Sequence, residues 1–191
     1  MHLIHKGHGY PFWYPEPDSS CMTAYTEWGV HPGDVGILNN ISGFNYLFNI
    51  FHDADDPVNN GNVPLGFHPL QAQNSESLQI IPACYHYSIT SANVNYTEIS
   101  ASVSTNAGAS FEFTTTKKSA AILCLPNSAT KREILNKKAI REYATANGVA
   151  WYTYVNQYLG REASNRTLYV VTGCDKTDSW GIAAIAKPSQ S

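Results

Sequence analysis

Gly173-Cys174-Asp175-Lys176-Thr177-Asp178-Ser179 gathers a thiol, two carboxylates and an amine between two apolar runs. A thiol beside a cation suits a nucleophile or a contact to a bound ligand, because positive charge favours the thiolate. A turn cysteine without chemistry fits the same residues. Asp175 and Asp178 stand three apart in a turn, a spacing too generic to assign acid and base roles. Trp180 follows at once. With Trp151, Tyr154 and Trp13 it supplies rings that would stack on a flat molecule, leaving Cys174, Asp175 and Lys176 at the polar rim. His31, His68 and His86 each lie beside an apolar residue, a proline or a ring. Spacing selects none of them as a base for Cys174.

Two further groups of side chains raise the question of a metal. His2, His5 and His8 recur every third residue, but Gly7 and Gly9 oppose the helix that would align them, and a chain terminus is a poor scaffold. His52-Asp53-Ala54-Asp55-Asp56 is oxygen-rich enough for a hard cation. Pro57 interrupts it, the spacing is not that of a calcium loop, and a solvated loop is the better reading of the run. The metal candidates are therefore His5, His8, His52 and Asp55. Dinucleotide-binding, phosphate-loop and serine-elbow motifs are absent.

The elements that must position these residues come from composition and pattern. The chain has 191 residues, enough for one sizeable core, and reads as a single domain over 1–191 with residues 1–28 as an extended, aromatic and proline-rich arm. Phe12, Trp13 and Tyr14 between Pro11 and Pro15 oppose a helix there. Only 14% of residues are charged, against roughly 25% in an ordinary domain, and the net charge is −3. That balance speaks against nucleic acid and acidic membranes as partners. Lys131, Arg132, Lys137, Lys138 and Arg141 cluster, and read as the solvated face of one helix. The N-terminus lacks the pattern of a secretory leader, so the chain as given reads as cytoplasmic. The sequons at Asn40, Asn95 and Asn165 then carry no weight.

Val30–Ile50 reads as a hairpin, turning at Pro32-Gly33-Asp34 and looping through residues 39–43. Leu78–Ile89 is a strand interrupted by Pro82, Val94–Thr105 alternates, and Phe111–Thr114 is close enough to pair with it. Ala120–Leu125 is continuously apolar, as a central strand is. Leu168–Thr172 and Trp180–Ala186 complete the set, the wall and lip of a pocket around the polar turn between them. Thr130 and Glu133 have the form of a capping box. The helix they open would bury Leu135, Ala139, Ile140, Tyr143 and Ala146 and end at Asn147-Gly148. A second helix would run from Val149 to Leu159, its rings packing on the sheet or facing a ligand. The expected fold is α+β: a mostly antiparallel sheet against one or two helices near the C-terminal third. Cys84 and Cys124 sit in apolar runs as small core residues.

WGVHPGDVGIL, FNYLFNI, AIREYATANGVAWYTYVN and LYVVTGCDKTDSWGIA together resemble a family from mushroom-forming fungi. Most of its members are uncharacterised domains; one short stand-alone member, similar in size to this chain, is a chromoprotein. The resemblance implies non-covalent binding of an indolone-type organic chromophore without catalysis, and assigns no contact residues. It agrees with a composition of 4 Trp, 12 Tyr and 7 Phe, rings with polar tips that suit a flat, weakly polar molecule. The leading expectation is a non-enzymatic binding protein for a small planar aromatic ligand. A protein-interaction or defence module, with the aromatic arm in a homodimer, is a second expectation. A Cys174-dependent or metal-dependent hydrolase is a third.

Overall fold

The computed structural model describes residues 3–4, 9–17, 21, 23–38, 43–71, 78–82, 87–91, 94–99, 110–115, 119–127 and 129–186. Two compact units are interleaved along the chain. The first comprises Met1–Pro11, Pro82–Thr130 and Lys176–Ser191; the second comprises Phe12–Ile81 and Lys131–Asp175.

The second unit carries the larger described core. Its hairpin forms as the sequence predicts: β1 (Asp34–Leu38) pairs antiparallel with β2 (Phe44–Asn49). β9 (Leu168–Val170) joins the other edge of β1, antiparallel, with Val35 opposite Val170. The β1–β2 register shifts between Val35 and Gly36. Gly36 is required there, because a Cβ would stand 2.5 Å from the Asn45 carbonyl oxygen. A further sheet of this unit has the order β10 (Gly173–Lys176), β8 (Thr130–Ile134), β3 (Leu78–Pro82).

Helix α2 spans Lys137–Thr153 and passes directly into a π-helical turn, Tyr154–Tyr158. Two helix expectations are corrected here. Thr130–Glu133 is strand, not a capped helix start, because β8 is committed to its neighbours in the sheet; Asn136 caps α2 instead, its side chain accepting from the Ala139 N–H at 3.2 Å. Asn147-Gly148 does not end the helix. Asn147 stays helical and donates to the Tyr143 carbonyl at 2.9 Å, and one continuous element replaces the expected pair. Leu135, outside the helix, is exposed, whereas Ile140 is buried as expected.

The core is built where α2 meets the β1–β2 hairpin. Phe48 takes the edges of Phe67, Trp151 and Tyr154 at centroid separations of 5.5–6.2 Å, and Val35, Leu47, Ile50, Ile134 and Val155 close around it. Trp151 and Tyr154 are 4% and 6% exposed. Of the two expectations for the aromatic helix, packing against the sheet describes both rings.

In the first unit β7 (Ser119–Leu125) is central, as its apolar run predicts, with β4 (Tyr87–Thr90) on one edge and β11 (Gly181–Ala186) on the other, both antiparallel. β5 (Val94–Ile99) and β6 (Ser110–Thr115) form a separate antiparallel pair. Cys124 is buried on β7, as expected; Cys84 lies outside the described residues. The α+β class holds, with its strands divided among several small sheets.

Candidate functional site

The second unit places its polar chemistry at the start of the β1–β2 hairpin. Pro32 and Gly33 form the turn, and Asp34 closes it from both sides: its N–H donates to the His31 carbonyl at 3.1 Å and its carboxylate accepts from the His31 N–H at 2.7 Å. Gly33 sits at φ +94°, where a Cβ would also enter the Phe51 ring.

Behind this turn lies a buried polar network. Asn49 donates to the Asp34 carboxylate at 2.8 Å and to the Pro32 carbonyl at 3.2 Å, and accepts from the Phe51 N–H at 2.8 Å. Asn59 donates to the carbonyls of Asn49, His52 and Asp53 at 2.9–3.0 Å. In return its side-chain oxygen accepts from the Asn49 N–H at 2.7 Å and the Tyr46 hydroxyl at 3.2 Å. Such a network, with its members satisfied, fixes one conformation of the 52–62 loop. The His52–Asp56 run is thus held by a buried asparagine.

Tyr25, from the short helix α1 (Thr23–Trp28), stacks on Tyr46 with centroids 4.0 Å apart. The arm is therefore not extended throughout 1–28. Burial pushes both phenols well above their usual ionisation range, and the Asp34 charge pushes the same way. Tyr25 is 2% exposed, and its hydroxyl has no hydrogen-bond partner among the described residues.

Helix α1 ends because Gly29 adopts φ +63° and its N–H closes on the Tyr25 carbonyl at 2.7 Å. This leaves Trp28 at the surface, 48% exposed, between two imidazoles: His31 at 5.7 Å and His52 at 5.9 Å between centroids. His31 Nε2 lies 2.5 Å from Arg132 Nη1, on β8. A guanidinium only donates, so Nε2 accepts, and the His31 proton is assigned to Nδ1, which donates to the Gly29 carbonyl at 2.9 Å. The other imidazole is also held, with His52 Nδ1 3.0 Å from Asp56. The Val58 N–H, then the His52 contact, hold the Asp56 carboxyl below the usual carboxylate range. A partly open indole beside two oriented imidazoles, one of them bound to a guanidinium, is a surface for stacking and directed hydrogen bonding.

No protein-family model matches the chain, and no curated protein or solved structure does so either. The site rests on its own geometry.

The residues singled out from sequence are dispersed. Cys174, Asp175 and Lys176 were expected in a polar turn; they lie in strand β10, half-buried, because pairing in the sheet overrides the turn preference of Gly173 and Asp175. The Cys174 thiol donates to the Val30 carbonyl at 3.4 Å, next to His31. Trp180 precedes β11 in the first unit, where Asp178 accepts from Asn127 and the Thr177 hydroxyl donates to the Asn127 carbonyl. The two runs expected to form wall and lip, Leu168–Thr172 and Trp180–Ala186, belong to different units. Trp151 and Tyr154 are core rings of the second unit, and Trp13 is partly exposed in the arm. Of the metal candidates, His5 and His8 lie outside the described residues; His52 engages Asp56, and Asp55 is exposed. Among the described residues no group of three or more His, Cys, Asp or Glu is placed to hold a metal ion. None of their helices is long and apolar enough to cross a membrane.

Trp28, His52 and Arg132 were not grouped by sequence reasoning. The signal available was Trp28-Gly29-Val30-His31-Pro32-Gly33-Asp34, a tryptophan and a histidine separated by one glycine-led turn. Arg132 is a hundred residues away and read as helical.

Proposed function

We propose that the chain is a non-enzymatic binding protein for a small planar aromatic ligand, held at the Trp28–His31–His52 surface. The observation that carries this reading is the half-open indole of Trp28 in contact with two imidazoles, each oriented by a hydrogen bond through Nδ1. An imidazole whose lone pair receives a guanidinium N–H and whose proton is given to a carbonyl is arranged for recognition, not for proton transfer. The Cys174 thiol is likewise turned to a backbone carbonyl. Both points favour binding over thiol catalysis.

The fungal resemblance adds the ligand class: an indolone-type pigment bound without a covalent link, which makes the chain a chromoprotein. The test is an absorption spectrum and native mass of protein purified from its own source. A visible band with an added mass on the order of a few hundred daltons, the size that fills an ordinary pocket, supports the reading. A colourless protein at the chain mass sinks the pigment and leaves a colourless aromatic ligand to be sought by titration.

A second reading is favoured by one observation. Trp13 and Tyr14 of the arm are 41% and 58% exposed, the kind of rings that protein interfaces use. Concentration-dependent dimerisation abolished by W13A would support an interaction module.

A further inference from the structure

Arg132 is a permanent cation with no ion-pair partner among the described residues. Its one polar partner among the described residues is neutral His31, which takes one of five N–H donors. The nearby carboxylate on its own strand is committed elsewhere: Glu133 binds Lys131 at 3.0 Å and Lys137 at 2.5 Å. The Arg132 side chain is half-buried, and its Nε–H is shut off from solvent with no acceptor. Removing a guanidinium partly from water without an anion is unfavourable unless an anion arrives with the ligand.

The geometry says where such an anion would come from. Arg132 reaches His31, and His31 stands against the exposed indole of Trp28. An acid group on a planar ring held beside Trp28 and His31 is the anion that the guanidinium would pair with, since its fork matches the two oxygens of a carboxylate. His31 has a further role in this arrangement. Its lone pair accepts from the guanidinium, so the imidazole positions the cation without contributing charge.

We infer that the site selects planar aromatic carboxylates, Trp28 stacking on the ring and Arg132 pairing with the acid group. The inference rests on the stacking surface proposed above and adds the charge of its ligand. Indole-3-carboxylate and neutral indole are the probes, titrated separately into the full chain by calorimetry, with intrinsic tryptophan emission as a second readout. Indole-3-carboxylate is expected to bind at least about tenfold more tightly than indole, the scale of one charge-assisted pair. R132Q should abolish that preference, R132K should retain part of it, and W28A should weaken both probes. Equal affinities for the two probes in the natural chain, or a preference that survives R132Q, would overturn the acid selectivity while leaving the stacking surface standing. Saturable binding of neither probe would overturn both. Should R132Q fail to fold, the ratio in the natural chain and in R132K decides the matter.

Discussion

Asn49 and Asn59 clasp each other: the Asn49 N–H donates to the Asn59 side-chain oxygen at 2.7 Å, and the Asn59 amide returns a hydrogen bond to the Asn49 carbonyl at 3.0 Å. Asn59 is fully buried, and this pair joins the end of β2 to the 52–62 loop that carries His52. Replacing Asn59 with Ala would strand several buried donors and acceptors at once. The expected cost is about 3–5 kcal/mol of stability, read by urea denaturation, with the His52 region losing amide protection first. A loss under about 1 kcal/mol would mean that the loop is held by something else.

Tyr25 and Tyr46 should remain protonated well beyond the ordinary phenol range in the folded chain. Their native ionisation is raised above the unfolded value of about 10, so the stability they confer is complete below that pH. It is lost as pH rises past it, at about 1.4 kcal/mol per pH unit for each phenol. Ultraviolet titration should therefore show two tyrosines ionising only with alkaline unfolding, and Y25F should make the alkaline limb of stability shallower. Asp56 works in the opposite direction. Its depressed ionisation adds stability present above the ordinary carboxylate range and lost as pH falls through it, an acid limb that D56N should flatten.

Trp28 and Trp151 separate binding from folding. W28A removes a half-exposed ring and is expected to change stability by less than about 1 kcal/mol while weakening the binding of both probes. W151A empties a site 4% exposed against Phe48 and Tyr143, with an expected cost of about 3–5 kcal/mol. Thermal melts and calorimetric titration of the two variants should show opposite patterns.

The start of α2 gives a local test. N136A removes the side chain that accepts from Ala139 and should cost about 1 kcal/mol, seen in thermal denaturation. T130A, in strand β8, should show no loss of helix by circular dichroism.

The same place shows what the sequence made legible. The 34–49 hairpin, the central β7 and the β5–β6 pair were readable because apolar alternation and turn residues agreed with each other. Thr130-Lys131-Arg132-Glu133 has the local grammar of a helix start, yet Gly173–Lys176 lies beside it in the sheet, and that neighbour is invisible in a one-dimensional pattern. Gly148 likewise sits inside a helix whose Trp151 and Tyr154 are anchored by Phe48, so tertiary packing overrides the stop signal. The site was less legible than the fold. Trp28, His52 and Arg132 converge only through the turn at Pro32-Gly33, the buried Asn59 and a strand a hundred residues on.

The antiparallel pairing of Val35 with Val170 also has a consequence for synthesis. At about 5–20 residues per second, β1 leaves the ribosome on the order of ten seconds before β9 exists to cover its free edge. The hairpin β1–β2 can close early, but the first unit's central segment must be made before the second unit can finish. During that interval an uncapped row of backbone donors and acceptors is available to any neighbouring chain. Crowded expression at high temperature should therefore favour aggregation, and slower translation with chaperone present should favour soluble protein.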